Sequence, residues 1–429
     1  MSPTEFINKV KAEAPASLTE DLTKLEINYS KRHQSLYHQL TKTLQEIIQK
    51  DDISKYLVDL WNNFISTFKD KLNQLRLVEI GVRVAQEMIP QKSLNFLESL
   101  LDTLPVPRAA LPPALKPTNT KSFDEEQPPT KTESEAYVLA KISIAHYDLL
   151  LGNLDKAKEA MDVCERVLDS IDGVEASVTG AWLRVSGDYF KVSIWNSSEI
   201  DLIKNQSKAE YAAFYRTTLL YISCAGMDQL DKAEQIQRSH DLAIAALLGD
   251  TIYNFGELLT HPILHALDGT ELEWLKDIIY IFNEGDITKF EVNASKLANE
   301  HFRTLKVTLY KPILHDSQAF LRQKICLMAL IECVFKRSSK DRDMSFSTIG
   351  AETKLPLDEV EHLIMKALSL KLIRGTIDQV SSSASINWVQ PRVLDKNQVK
   401  SLASRLNEWR SKVENVAVDV NSQAPELFA

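Results

Sequence analysis

The sequence predicts a mainly α-helical protein: a solenoid of helical hairpins, TPR-like in kind, then a winged-helix module and a last helix suited to bundling. Three observations predict it. Helical periodicity dominates, strand-like alternation is scarce before residue 370, and the 429 residues include only 12 glycines. A glycine-led phrase recurs along the chain. Residues 344–389 read in the order helix, turn, helix, ribbon.

Within the first hundred residues, Leu36, Leu40, Leu44, Ile47 and Ile48 line one helix. Leu57, Leu60, Trp61, Phe64 and Phe68 line a second, and Leu75, Val78, Val82 and Ala85 continue the pattern until Pro90 ends it. Each stripe repeats every 3.6 residues and must lie against a neighbour. Residues 1–103 are therefore N-terminal helical repeats. Residues 104–132 are a proline-rich flexible loop, since 104–130 hold Pro105, Pro107, Pro112, Pro113, Pro117, Pro128 and Pro129, close to half of the chain's 15 prolines. Too little apolar surface remains there to offset the entropy of ordering it.

Residues 133–335 read as a helical solenoid. Tyr137 to Leu151 is one helix, Gly152-Asn153 a turn, and Leu154 to Leu168 its partner, with Ala140, Ala145, Ala157 and Ala160 allowing close approach. The phrases GNLDKAKEA at Gly152, GMDQLDKAEQ at Gly226 and GDITKFEVNA at Gly285 share one logic. Glycine closes a helix, and an acidic residue opens the next. Hairpins of this kind stack, each burying its face on the next.

Residues 336–392 read as the winged helix. Phe346 and Ile349 lead into a short helix, and Lys354-Leu355-Pro356 breaks it. Asp358 and Glu359 favour the start of a second helix whose apolar face is Val360, Leu363, Ile364, Ala367 and Leu368. Leu372 to Val380 and Ile386 to Val389 read as two strands of a wing, with Gly375 marking a bulge or a close approach. The wing edge (Leu372, Ile373, Gly375, Ile377, Ile386 and Trp388) is a candidate partner surface through strand pairing.

Residues 393–429 hold a bundling helix and tail. Val399, Leu402, Leu406, Trp409, Val413 and Val416 are spaced 3, 4, 3, 4, 3, an a/d heptad seam. Burying six such side chains gains roughly 10 kcal/mol gross, at about 1.5–3 each. A short helix alone is marginal in water, so this one needs a partner.

The charge balance, −9 with Lys and Arg numbering 50 against 59 Asp and Glu, disfavours general affinity for nucleic acid or anionic membranes. The second helix of the winged module opens with Asp358, Glu359 and Glu361, the wrong sign for phosphates, and the wing Ser381–Ser385 has no base. Cys164, Cys224, Cys326 and Cys333 are scattered, with no CxxC pair and no metal-ligand spacing. Cys326 and Cys333 fall in an apolar helix and read as buried. The N-terminus lacks the apolar core of a signal peptide, and no run reaches the length of a membrane span, so the expected compartments are cytoplasm and nucleus. His261 and His265 have the spacing of zinc-protease histidines, but Pro262 stands where the general base belongs. Phosphate-binding and nucleophile-elbow motifs are missing, and no catalytic, cofactor or metal site is expected.

A helical array closed by a winged helix and a C-terminal helix resembles the PCI proteins of the proteasome lid, the signalosome and translation initiation factor three. LPLDEVEHLIMKALSLKLIRGTIDQV (Leu355 to Val380), INWVQPRVLD (Ile386 to Asp395), YHQLTKTLQEII (Tyr37 to Ile48) and NFISTFKDKLNQLRLVEI (Asn63 to Ile80) are similar to the lid branch of that family. The resemblance weakens over 104–130. It implies a non-catalytic scaffold acting in ubiquitin-dependent degradation, whose winged helix packs edge to edge with those of other lid PCI subunits. It also implies that the last helix joins a bundle with the metalloprotease-fold lid subunits, and that the solenoid arm points toward neighbours including a ubiquitin receptor. The alternatives are a PCI subunit of another assembly and a nucleic-acid-binding PCI protein.

Overall fold

The computed structural model describes residues 7, 10–11, 16–30, 36–48, 53, 56–110, 130–196, 204–226, 231–296, 317–337, 342–393 and 396–423. Most of the proline-rich stretch, 111–129, lies outside them. The chain divides into two compact units, Met1–Gln229 and Leu230–Ala429. The border falls inside the stretch read from sequence as a solenoid.

The first unit is built of α1 (Ala16–Ser30), α2 (Leu36–Ile48), α3 (Leu57–Asn63), α4 (Gln74–Gln86), α5 (Pro90–Leu101), α6 (Lys131–Leu150), α7 (Leu154–Leu168), α8 (Ala176–Asn196) and α9 (Lys204–Ala225). Successive helices pack as hairpins, α1 on α2, α4 on α5, α6 on α7 and α8 on α9. One continuous core runs from Leu22 and Leu44 through Phe64 and Val78 to Ala140 and Val167. α6 touches α4, α5, α7 and α8. That is why it is apolar on most sides rather than striped. A reciprocal cap opens it: the Glu133 carboxylate accepts from the Thr130 N–H at 2.7 Å.

Two sequence expectations need correcting here. The stripe from Leu57 to Phe68 is not one helix. α3 stops at Asn63, and the chain continues in 3-10 turns over Ile65–Thr67 and Lys69–Lys71. Ser66 and Thr67 hydroxyls donate to the Asn62 and Phe64 carbonyls at 2.7 and 2.6 Å, a local alternative to helical bonding. Phe64 and Phe68 stay buried, edge to face at 5.0 Å. Pro90 does not end α4. That helix stops at Gln86, and Pro90 opens α5, where its missing N–H has no partner to lose.

The recurring glycine phrase holds in both units. Gly152, Gly226 and Gly285 have φ of +84°, +72° and +70°, the left-handed region open to glycine. After them, Asp231 accepts from the Lys232 N–H at 2.9 Å and Asp286 from the Lys289 N–H at 3.1 Å. α7 matches its expected bounds, Leu154–Leu168.

The second unit comprises α10 (Lys232–Leu248), α11 (Gly256–Thr260), a 3-10 turn (Pro262–Leu267), α12 (Glu273–Glu284), α13 (Ile287–Lys296) and α14 (Gln318–Lys336). The winged helix follows: β1 (Asp343–Ser345), α15 (Phe346–Thr353), α16 (Leu357–Ser369), β2 (Ile373–Asp378) and β3 (Ser383–Val389). The last element is α17 (Lys396–Gln423). α14 packs on α10, α12, α13, α15, α16 and β3. It carries a buried lysine among its apolar residues. Lys324, 1 % exposed, donates to the carbonyls of Ala246, Leu247 and Gly249 at 2.8, 3.1 and 2.6 Å, capping the end of α10. Its Nζ also lies 5.3 Å from the Phe255 ring centroid. Burial pushes the Lys324 ammonium down to about 7, and Asp250 pulls the other way.

The sheet is antiparallel in the order β1-β3-β2. β1, three residues long, escaped the sequence reading. It pairs Met344 with Ala384, and β3 begins at Ser383, inside the stretch read as turn. The register shifts between Arg374 and Gly375, the bulge expected at that glycine. A side chain at 375 would overlap the Ser385 carbonyl oxygen. Lys354, at φ +51°, ends α15, and α16 starts beyond Pro356 with Asp358 and Glu359 in its first turn.

Candidate interaction surfaces

The heptad residues Val399, Leu402, Leu406, Trp409, Val413 and Val416 all lie on α17, and all are exposed, from 46 % at Val413 to 66 % at Trp409. Core residues of the same unit, such as Leu330 and Phe282, have no exposure at all. The segment just before α17 is held firmly. Arg392 pairs with Glu332 of α14, and its guanidinium lies 4.9 Å over the Phe335 ring. The Val393 N–H donates to the Asn254 side-chain oxygen at 3.4 Å. Gly256 packs so closely on Val393 that a Cβ there would come within 2.7 Å of it. Thus a fixed root precedes a helix whose apolar side chains face water. The sequence reading missed this root, because nothing local to Arg392 announces a partner sixty residues earlier.

The wing residues divide. Leu372, Ile373 and Ile386 are buried in the module's own core, Gly375 sits at the bulge, and Ile377 is half-buried. Trp388 is half-buried under the Arg374 guanidinium, 4.7 Å from its ring centroid. Placing Ile386 and Trp388 at an edge needs correction. β1 takes one side of β3, so β3 is the middle strand and β1 and β2 are the edges. Among the described residues β2 pairs with β3 alone, so its outer backbone side is what the wing offers. The neighbouring α16 shows water Leu357, Met365 and the Asp358 carboxylate. Lys366 turns to Gln323 of α14 at 2.5 Å, which removes one of the few cations near that face.

The two histidines do not meet at a site. α11 ends before them, and the His261 Nδ1 accepts from the Ile263 N–H at 3.2 Å as a turn cap. Burial lowers the pKa of His261. His265 faces Asp268 at 3.1 Å instead. Among the described residues no group of three or more His, Cys, Asp or Glu is placed to hold a metal ion. Cys164, Cys326 and Cys333 are buried, and Cys224 is exposed. Burial pushes the Cys164 thiol up to about 12, away from thiolate chemistry. No helix of the described residues is long and apolar enough to cross a membrane.

Comparison with known proteins gives these surfaces a context. Residues 22–279 match the PSD13 N-terminal repeats, and residues 302–387 match the PCI domain. The chain is 34 % identical to the probable 26S proteasome regulatory subunit rpn9 of Schizosaccharomyces pombe, over 99 % of this chain and 97 % of that one. It is 33 % identical to the 26S proteasome regulatory subunit RPN9 of Saccharomyces cerevisiae, over 99 % and 98 %. Similarity to the eukaryotic translation initiation factor 3 subunit M of Aspergillus oryzae is 25 % and spans only 42 % of this chain and 37 % of that one. With repeats, PCI domain and near full-length similarity together, this chain belongs to the family of 26S proteasome non-ATPase regulatory subunit 13, the Rpn9 proteins of yeasts.

Proposed function

We propose that the chain is a non-catalytic scaffold of the lid of the 26S proteasome regulatory particle, serving ubiquitin-dependent degradation in cytoplasm and nucleus. It holds neighbouring subunits in two ways. The outer backbone of β2 pairs with, or packs beside, the winged helix of another PCI subunit. The seam of α17 enters a helical bundle with other lid chains, the metalloprotease-fold subunits among them. The repeats of the first unit reach toward further regulatory-particle components, including a ubiquitin receptor.

One observation carries this reading. Six regularly spaced apolar side chains stand in water on a helix that follows a pinned root, and the full-length relatives are named as proteasome subunits. Burying the seam supplies about 1.5–3 kcal/mol per side chain that the isolated chain forgoes. The test is incorporation. Leu406→Ala with Trp409→Ala leaves the chain folded and sharply lowers its recovery in affinity-purified regulatory particles. Recovery at wild-type stoichiometry overturns the seam as an assembly device.

A further inference from the structure

The heptad frame assigns every position of α17. Val399, Leu406, Val413 and Val420 stand at a, and Leu402, Trp409 and Val416 at d. The positions that flank such a seam, e and g, face the partner helix and set which partner is accepted. Here they hold Arg405 at g, Arg410 at e and Lys412 at g, all exposed, with Asp419 the one acid, near the C-terminal end. The helix's other acids stand off the seam, Glu408 at c and Glu414 at b. Glu414 draws Arg410 into an intrahelical pair at 2.7 Å, so Arg405 and Lys412 are the cations most available to another chain.

Given the bundling reading above, on which this rests, we infer that the seam of α17 is keyed to a helix of another chain that carries carboxylates at its own flanking positions. The same pattern opposes self-association. Side by side and in register, Arg405 of one copy meets Arg410 of the next. Antiparallel about the middle of the seam, Lys412 of one copy meets Arg405 of the other. Like charges at these positions disfavour the pairing, and opposite charges favour it. A membrane surface fits less well. The apolar stripe runs along a and d, with Val418 at f on the far side, so it is narrower than the face of an interfacial helix, and three carboxylates share the polar side.

The test uses the full-length chain and two labelled probe peptides of four heptads. Both have leucine and valine at a and d. One has glutamate at every e and g, the other lysine. Fluorescence anisotropy is expected to show the glutamate peptide binding at least about tenfold tighter, from several exposed ion pairs acting together. The preference reverses in the Arg405→Glu, Lys412→Glu chain. It collapses as salt approaches about 1 M, where the screening length is about 3 Å.

Equal binding of both peptides, lost on Leu406→Ala with Trp409→Ala, overturns the charge key and leaves the seam standing. Binding of neither peptide, or binding indifferent to those two alanines, overturns the seam reading along with it. Sedimentation of the free chain as a seam-dependent dimer overturns the inference. So does recruitment to vesicles of phosphatidylcholine and phosphatidylserine, with a Trp409 emission shift that the glutamate peptide does not compete away.

Discussion

Two helices of the second unit, α14 and α17, carry regular apolar residues and meet opposite fates. α14 is enclosed by helices and a strand, so completely that a lysine within it is 1 % exposed and donates to three carbonyls of another helix. α17 keeps its seam in water. α14 is apolar around most of its circumference, as a helix with neighbours on many sides must be. α17 concentrates its large apolar residues at a and d, Val418 at f apart, enough for one seam and one bundle. The difference separates apolar residues that build this fold from those that build something larger.

The same substitution in the two helices gives the largest contrast. Leu330→Ala in α14 is expected to lower stability by about 2–5 kcal/mol, because a fully buried side chain leaves a cavity. Leu402→Ala in α17 is expected to stay within about 0.5 kcal/mol, as exposed sites do. Urea unfolding of the full chain measures both, and equal losses would erase the distinction.

Lys324→Met comes next. It keeps the stem and strands three carbonyls, with an expected loss of about 2 kcal/mol at neutral pH. The same site sets a pH dependence. Burial lowers the folded pKa from 10.5 to about 7, so between those values the unfolded chain holds the extra proton. Stability from this group therefore rises with pH from about 7 toward 10.5, by at most about 1.4 kcal/mol per unit. The gap between wild type and Lys324→Met should widen from pH 7 to pH 9. A gap that narrows would mean the carbonyls outweigh burial.

Gly375→Ala is expected to cost about 1–3 kcal/mol, since its methyl group meets the Ser385 carbonyl across the bulge. Thermal unfolding reads the loss, and amide exchange along β2 should rise while the first unit stays unchanged.

The sequence disclosed those features whose cause is local. The left-handed glycines at 152, 226 and 285, the break at Lys354-Leu355-Pro356, the bulge at Gly375 and the seam from Val399 to Val416 each follow from a few adjacent residues. What it withheld depends on contacts far along the chain. β1 is three residues long, too short for any period, yet its pairing makes β3 central and leaves β1 and β2 as the sheet edges. Nothing near Lys324 announces its role, because its acceptors lie 75–78 positions upstream. Pro90 reads as an end from sequence because proline both ends and begins helices, and only the bonding of Glu87 and Ser93 tells which. For the candidate surfaces, the seam was legible as a pattern. Its root at Arg392 and Glu332 was not.

The most direct measurement is hydrogen–deuterium exchange of the peptides covering Lys396–Gln423, in the isolated chain and in the purified regulatory particle. An exposed helix that a bundle covers should exchange fast alone and become strongly protected on assembly, with little change in α14. Strong protection of α17 in the isolated chain, or no gain of protection in the particle, would contradict the claim that its seam is buried by other chains.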